Sequence, residues 1–104
     1  FSHDLAPILI WLLENYNNKD PINIGNCREN SIKEVVEMVA DYYKYEGEIL
    51  WDDSYPSGIQ RKPSSNDKLI NLGWDSNNYT PLKQGLKLTC DWFVGNYPNV
   101  RGVK

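Results

Sequence analysis

A capped helix between two short apolar segments most constrains the fold of this chain. Ser31 and Glu34 match a capping box, in which the serine hydroxyl and the glutamate carboxylate each bond a free amide at a helix start. The flanking segments, residues 22–25 (INIG) and 47–53 (GEILWDD), have the composition of short strands. A strand, a helix and a strand within about thirty residues predict a right-handed βαβ unit with parallel strands.

Three further helices are predicted around this unit. The first covers residues 5–16, because apolar side chains recur there at the spacing of one helical face, with Asp4 as its cap. A short helix covers residues 66–72 and ends at the following glycine. The last helix has Thr80 as its cap and Pro81 at its first position, which is a favoured arrangement.

Length, charge and cysteines limit what the chain can be. Its 104 residues suffice for one small domain, residues 1–104, of the α/β class with short, mostly parallel strands and three to four helices. The net charge of -3 gives no basic surface for nucleic acid, and no apolar run approaches the ~20 residues that cross a bilayer. No zinc pattern is present. Cys27 and Cys90 are predicted to be buried or half-buried free thiols, as in a cytoplasmic protein.

The loop of residues 54–65 contains the clearest sign of binding chemistry. Its Pro-Ser-Gly turn is followed by two adjacent cations, Arg61 and Lys62. Arginine offers a planar fork of donors for phosphate oxygens, and lysine offers a movable point charge. The residues alone leave two interpretations open, a solvated pair of surface charges or a local site for the diphosphate of a nucleotide.

For several other residues that resemble parts of a functional site, a structural role explains the pattern better than a catalytic or binding role. Tyr79 and Lys83 have the YxxxK spacing found in one class of dehydrogenases, but Pro81 places the tyrosine before the helix, so the two side chains would not share a face. No serine or cysteine has an identifiable base partner. Four aromatic residues are predicted to pack in the core or against helix ends rather than to stack on bases: Trp74, Tyr79, Trp92 and Tyr97.

Six segments follow one another along the chain in an informative order: FSHDLA, INIG, SIKEVVEMVADYYKYEGEILWD, YPSGIQRK, NDKLINLGW and TPLKQGLKLTCDWFVGNY. Together they resemble the C-terminal part of GDP-L-fucose synthases, which are extended short-chain dehydrogenases/reductases. The resemblance covers essentially the whole chain, and its most specific element is the loop Pro-x-Gly-x-x-Arg-Lys. The chain would then be a fragment of a longer enzyme.

The resemblance implies an enzyme that epimerises carbons 3 and 5 of GDP-4-keto-6-deoxy-D-mannose and reduces carbon 4 with NADPH, giving GDP-L-fucose. It also implies a Rossmann domain, a smaller C-terminal substrate domain and a homodimer. The NADPH site and the catalytic residues are expected upstream of this chain. The fragment alone is therefore expected to be inactive.

The resemblance further assigns a substrate site within this chain. Lys62 matches the family's lysine that contacts the diphosphate of the GDP-sugar, and Arg61 is its usual neighbour. Ser57 precedes Gly58 at a position where the family often has an aspartate implicated in substrate binding. A serine keeps the hydrogen-bonding capacity of that position but not its charge. The predicted substrate-binding residues are thus Ser57, Gly58, Arg61 and Lys62.

Two other functions fit the same features. Another nucleotide-sugar epimerase or dehydratase would share the scaffold, and a non-catalytic nucleotide-binding module would lack the upstream dinucleotide-binding and YxxxK motifs. In a GDP-L-fucose synthase, or in another enzyme with the same scaffold, part of the helix of residues 5–16 would meet the Rossmann domain. That face is expected to be exposed in the fragment, where it would favour self-association.

Overall fold

The computed structural model describes residues 1–61 and 63–103 and shows helices joined by long loops. The helices are α1 (Ser2–Asn15), α2 (Ile32–Tyr42), α3 (Asp67–Asn71) and α4 (Leu82–Asn96), with a short 3-10 turn at Ser76–Asn78. The radius of gyration is 17.3 Å, whereas a compact domain of this length has about 13 Å. The helices therefore leave much of their apolar surface uncovered.

The predicted parallel strands are wrong for the part of the chain that the structure describes, where all regular elements are helical. Residues 22–25 and 47–53 are irregular segments with no strand partner. A strand is stabilised by hydrogen bonds to a neighbouring strand, and apolar composition alone does not supply that neighbour. Ile22 and Ile24 instead pack beside α1, while Leu50 and Trp51 are exposed.

A small apolar core lies between α1 and α3. Its buried members are Ile8, Leu12 and Leu69. Trp11 and Trp74 pack against it with their rings edge to face and 5.4 Å apart. The amphipathic pattern of residues 5–16 thus predicted a real helix, although only two of its side chains are buried.

The short helix α3 confirms the prediction for residues 66–72. Asn66 is its first flanking residue and Leu72 its last. Gly73 follows with a φ of +109°, a left-handed conformation that glycine adopts without the steric cost of a side chain. Its N–H bonds the carbonyl of Ile70 at 2.9 Å, which satisfies one of the free carbonyls at the helix end.

The predicted caps of α1 and α4 are wrong because the two residues bond each other. Asp4 lies inside α1, and its carboxylate accepts hydrogen bonds from the N–H of Thr80 at 3.0 Å and from its hydroxyl at 2.7 Å. Pro81 is the N-cap of α4, without a side-chain bond. A tertiary contact has replaced two local ones, and it joins the starts of the two helices.

The capping box of α2 is confirmed. The N–H of Glu34 donates to the Ser31 hydroxyl at 3.1 Å, and the N–H of Ser31 donates to the Glu34 carboxylate at 2.6 Å. No residue of α2 is fully buried, however. Its apolar face, with Val35 and Val39, lines an open groove of about 470 Å³ that extends to Ile49.

Helix α2 packs against α4. Cys90 of α4 is buried as predicted, whereas Cys27 is exposed, contrary to the prediction; both are free thiols. Trp92 and Tyr97 are more than half exposed, so neither packs in the core. Tyr97 is the C-cap of α4 and its ring lies 5.7 Å from that of Phe93, which agrees with the predicted packing at a helix end. No helix of the described residues is long and apolar enough to span a membrane.

A polar contact between α2 and α4 provides a test of this packing. The Tyr42 hydroxyl donates to the Asp91 carboxylate, which also accepts from Lys87 Nζ at 2.7 Å. The hydrogen bond to Asp91, together with desolvation, raises the pKa of Tyr42 to about 12. Because the folded pKa is raised, the contact stabilises the fold below the usual tyrosine pKa, and this contribution is lost as pH rises through about 12.

In an NMR titration that resolves each tyrosine ring, the Tyr42 hydroxyl is therefore expected to ionise at a pH well above that of a free tyrosine. Asp91→Asn removes the negative charge and should bring the Tyr42 titration to lower pH, while Glu37→Gln serves as a control on the exposed part of α2. Ionisation of Tyr42 at the pH of a free tyrosine would contradict the α2–α4 contact.

Candidate functional site

An open cleft of about 660 Å³ lies between two loops, residues 26–32 and residues 59–64. Among the described residues, its charged lining side chains are Arg28, Glu29 and Arg61. Two cations and one carboxylate give the walls a locally positive balance in a chain that is acidic overall. A cleft with this lining can attract an anion.

The inner ends of the two loops are joined by Asn66, which is only 1% exposed. Its Oδ1 accepts the N–H of Gly25 at 2.8 Å, and its Nδ2 donates to the carbonyl of the same glycine. The carboxamide thereby satisfies both backbone groups of Gly25, as a paired strand would. This contact compensates in part for the strand pairing that residues 22–25 lack.

Only a residue without a Cβ atom fits at position 25, where the two loops meet. A Cβ on Gly25 would lie 2.6 Å from both Cβ and Oγ of Ser64, closer than unbonded atoms approach. Glycine therefore allows the loop of residues 26–32 to start directly against the loop of residues 59–64. The cleft exists because these two segments approach each other at one end and separate at the other.

Arg61 forms a two-point ion pair with Glu29 across the cleft. Arg61 Nε donates to Glu29 Oε1 at 3.0 Å, and Arg61 Nη2 donates to Glu29 Oε2 at 2.5 Å. These hydrogen bonds lower the pKa of the Glu29 carboxyl and raise that of the Arg61 guanidinium, because each partner stabilises the charged form of the other. The Arg61 side chain is 74% exposed, so solvent screens its attraction to Glu29. The same exposure leaves the ion pair accessible to a ligand in solution.

The four predicted substrate-binding residues have different outcomes. Arg61 lines the cleft. Ser57 and Gly58 are exposed and lie on the same loop, outside the cleft lining among the described residues. Lys62 lies outside the described residues. The role of all four in binding stays a prediction.

Arg28, Glu29 and Asn66 are site residues that the sequence interpretation missed. A signal was present, because Arg28 and Glu29 belong to a charged, turn-forming segment directly before the capped helix. Asn26 builds that turn by accepting the N–H of Arg28 at 3.0 Å. A second cleft of about 510 Å³ lies on the other side of this segment and reaches Ser76 and Tyr79.

The YxxxK interpretation agrees with the bounds of α4. Tyr79 precedes α4 while Lys83 lies inside it, so the YxxxK spacing does not place both on one helix face. The described residues contain no group of three or more His, Cys, Asp or Glu side chains able to hold a metal ion.

Comparison with known proteins relates the chain to one family. It is 37% identical over 93 residues to the probable GDP-L-fucose synthase 1 of Oryza sativa subsp. japonica, covering 89% of this chain and 28% of that protein. It is 34% identical over 103 residues to the GDP-L-fucose synthase of Dictyostelium discoideum, covering 97% and 32%. For GDP-L-fucose synthase 1 of Arabidopsis thaliana, the identity is 36% over 96 residues, covering 92% and 29%.

The chain belongs to the GDP-L-fucose synthase family. The resemblance inferred from the ordered motifs is thereby confirmed, and with it the relation to extended short-chain dehydrogenases/reductases. The chain spans about 30% of the length of these GDP-L-fucose synthases, from 28% to 32%. No family model matches the chain, and no solved structure matches it.

Proposed function

We propose that this chain is the C-terminal, substrate-binding part of a GDP-L-fucose synthase. The observation that carries the proposal is its identity of 34–37% to proteins of that name over 89–97% of its length. The whole enzyme would epimerise carbons 3 and 5 of GDP-4-keto-6-deoxy-D-mannose and reduce carbon 4 with NADPH. Residues 1–104 would form a single unit of its substrate domain.

Within that enzyme, the cleft beside Arg61 would hold the diphosphate of the GDP-sugar. Support comes from its two arginines and from its volume of about 660 Å³, which falls in the range of small-molecule sites. Lys62 would add a point charge and Arg61 a planar fork. Ser57 and Gly58 would contact the substrate from the preceding turn of the same loop.

NADPH would be bound outside this chain. Its pyrophosphate requires a glycine-rich turn between a strand and the N-terminus of a helix, and the described residues contain no such strand–turn–helix unit. The described residues do not fit the cofactor, so no chemical step is assigned to them. The chain alone would bind substrate without converting it.

The uncovered apolar surface supports a larger assembly. The open groove beside Val35 and Val39, and exposed side chains such as Leu13 and Trp92, would lie against the Rossmann domain or a second subunit. We propose a cytoplasmic homodimer for the whole enzyme. The free thiols Cys27 and Cys90 are compatible with a reducing compartment.

The test is turnover by the full-length protein. With GDP-4-keto-6-deoxy-D-mannose as substrate, NADPH should be oxidised and GDP-L-fucose formed, both followed by absorbance and chromatography. The corresponding UDP and dTDP sugars are the controls. Faster turnover of those sugars would indicate another nucleotide-sugar epimerase or dehydratase. Binding of GDP without any turnover would favour a non-catalytic nucleotide-binding module.

A titration of the 104-residue chain with GDP would locate the site. Amide NMR shifts are expected to cluster on residues 26–32 and 57–62 at millimolar GDP, because only part of the site is present. Arg61→Ala should reduce these shifts, since it removes a charge-assisted contact to phosphate. Lys19→Ala removes an exposed cation from the turn after α1 and should leave the shifts unchanged. Shifts located elsewhere would contradict the assignment of the cleft.

A further inference from the structure

The guanidinium of Arg61 has two edges that can each bind a two-oxygen anion. The side-on edge consists of Nε and Nη2, and the end-on edge consists of Nη1 and Nη2. Glu29 bonds Nε and Nη2, so it occupies the side-on edge. The ion pair with Glu29 leaves the end-on edge for another anion.

The loop that carries Glu29 is itself fixed at its start. Asn66, which is nearly fully buried, bonds both backbone groups of Gly25, and Asn26 closes the turn before Glu29. Ser31 and Glu34 fix the other end of the loop at the start of α2. Glu29 is therefore held by its backbone from both sides, whereas the long side chain of Arg61 is 74% exposed.

We propose that Glu29 is a positioning residue that holds the side-on edge of Arg61, so that its end-on edge is set to bind the diphosphate of the nucleotide sugar. The inference rests on the proposed function, because it assumes that the cleft binds a diphosphate. An arginine left in solvent samples many rotamers, and a ligand must order it on binding. An arginine already held by a carboxylate has lost part of that freedom before the ligand arrives.

The opposite role for Glu29 would be competition. A carboxylate near a phosphate repels it, so removing Glu29 would then tighten binding. Positioning predicts the reverse sign, since removing Glu29 frees Arg61 to move. The two roles are separated by the direction of the change in affinity rather than by its size.

The experiment measures the dissociation constant for GDP by calorimetry in the full-length enzyme. Glu29→Ala is expected to weaken binding about three- to fivefold, the upper part of the range for losing an exposed ion pair. Glu29→Gln, which has nearly the same shape, should weaken it in the same direction. Glu37→Ala is the matched control, because Glu37 also pairs with a cation at an exposed site, but on α2.

A double-mutant cycle shows whether Glu29 acts through Arg61. In an Arg61→Ala background, Glu29→Ala should no longer weaken binding, because the side chain to be positioned is gone. Arg61→Lys should also bind less tightly than wild type, since an ammonium cannot use two edges at once. Unchanged melting temperatures in Glu29→Gln would separate positioning from a loss of folding.

Three results would overturn the inference. GDP could bind equally well or more tightly in Glu29→Ala and Glu29→Gln, which would make Glu29 a bystander or a competitor. Glu29→Ala could weaken binding equally with and without Arg61, which would place its effect elsewhere. Arg61→Ala could leave GDP affinity unchanged, and this result alone would also remove the diphosphate assignment of the proposed function.

Discussion

Asn66→Ala is expected to lower the free energy of unfolding of this chain by about 2–4 kcal/mol, because it leaves two backbone groups without partners. The N–H and the carbonyl of Gly25 both bond the Asn66 carboxamide in a partly buried setting. Each unsatisfied group costs about 1–3 kcal/mol, and the partly buried setting places both groups in the lower part of that range. A small core of Ile8, Leu12 and Leu69 offers little to compensate for that loss.

Urea unfolding followed by tryptophan fluorescence measures this change, since Trp11 and Trp74 pack on the same core. Asn71→Ala is the matched control, because Asn71 is an exposed asparagine at the end of α3. Asn66→Asp keeps an acceptor for the N–H of Gly25 but loses the donor to its carbonyl, so it should also destabilise. A loss below about 0.5 kcal/mol in Asn66→Ala, as for an ordinary surface change, would contradict the role of the carboxamide.

Lys62→Ala is expected to weaken GDP-sugar binding by the full-length enzyme about ten- to a hundredfold, since a charge-assisted contact to a diphosphate contributes roughly 1.5–3 kcal/mol. The expectation rests on the proposed function and on the resemblance, which assigns Lys62 to the diphosphate. Lys62→Arg keeps the positive charge and should lose much less affinity. Calorimetry with GDP-sugar or GDP gives the dissociation constants directly.

Lys19→Ala is the control for a general loss of positive charge, and it should leave the dissociation constant unchanged. Comparison of KM and kcat adds a second criterion. A lysine that binds substrate and transition state alike should change KM more than kcat. An unchanged dissociation constant in Lys62→Ala would remove this residue from the site.

Sequence patterns predicted the helices well because helix signals are local. The capping box at Ser31 and Glu34 and the glycine after α3 act within a few residues, and both were found as expected. The predicted caps of α1 and α4 were wrong, because each capping side chain bonds a residue distant in sequence instead of its own helix. Asp4 and Thr80 are 76 positions apart, and no local pattern indicates that they bond each other instead of their own helices.

Strands could not be predicted in the same way, because a strand depends on a partner. Residues 22–25 and 47–53 have suitable composition, yet neither pairs with another strand among the described residues. The composition of a segment says which face can be buried but not what will cover it. In residues 22–25, the side chain of Asn66 bonds the backbone of Gly25 in place of a neighbouring strand. The sequence predicted Asn66 only as the start of a helix.

The candidate site was predicted in part for a related reason. Arg61 stood out because two adjacent cations follow a turn, and the structure places it on a cleft. Glu29 lies 32 positions from Arg61 and was not predicted, because no sequence spacing indicates an ion pair between two loops. The motif order identified the family more firmly than any single residue identified the site.

The separate packing of the helices has a consequence for how the chain opens. Ile8, Leu12 and Leu69 form one cluster, while α2 rests on α4 around Cys90. Apart from the Asp4–Thr80 contact at the starts of α1 and α4, few buried side chains connect the two regions, so they need not unfold in one concerted step. Amide hydrogens of α2 would then exchange with solvent through sub-global openings that leave the α1 cluster intact, as expected of separate cooperative units.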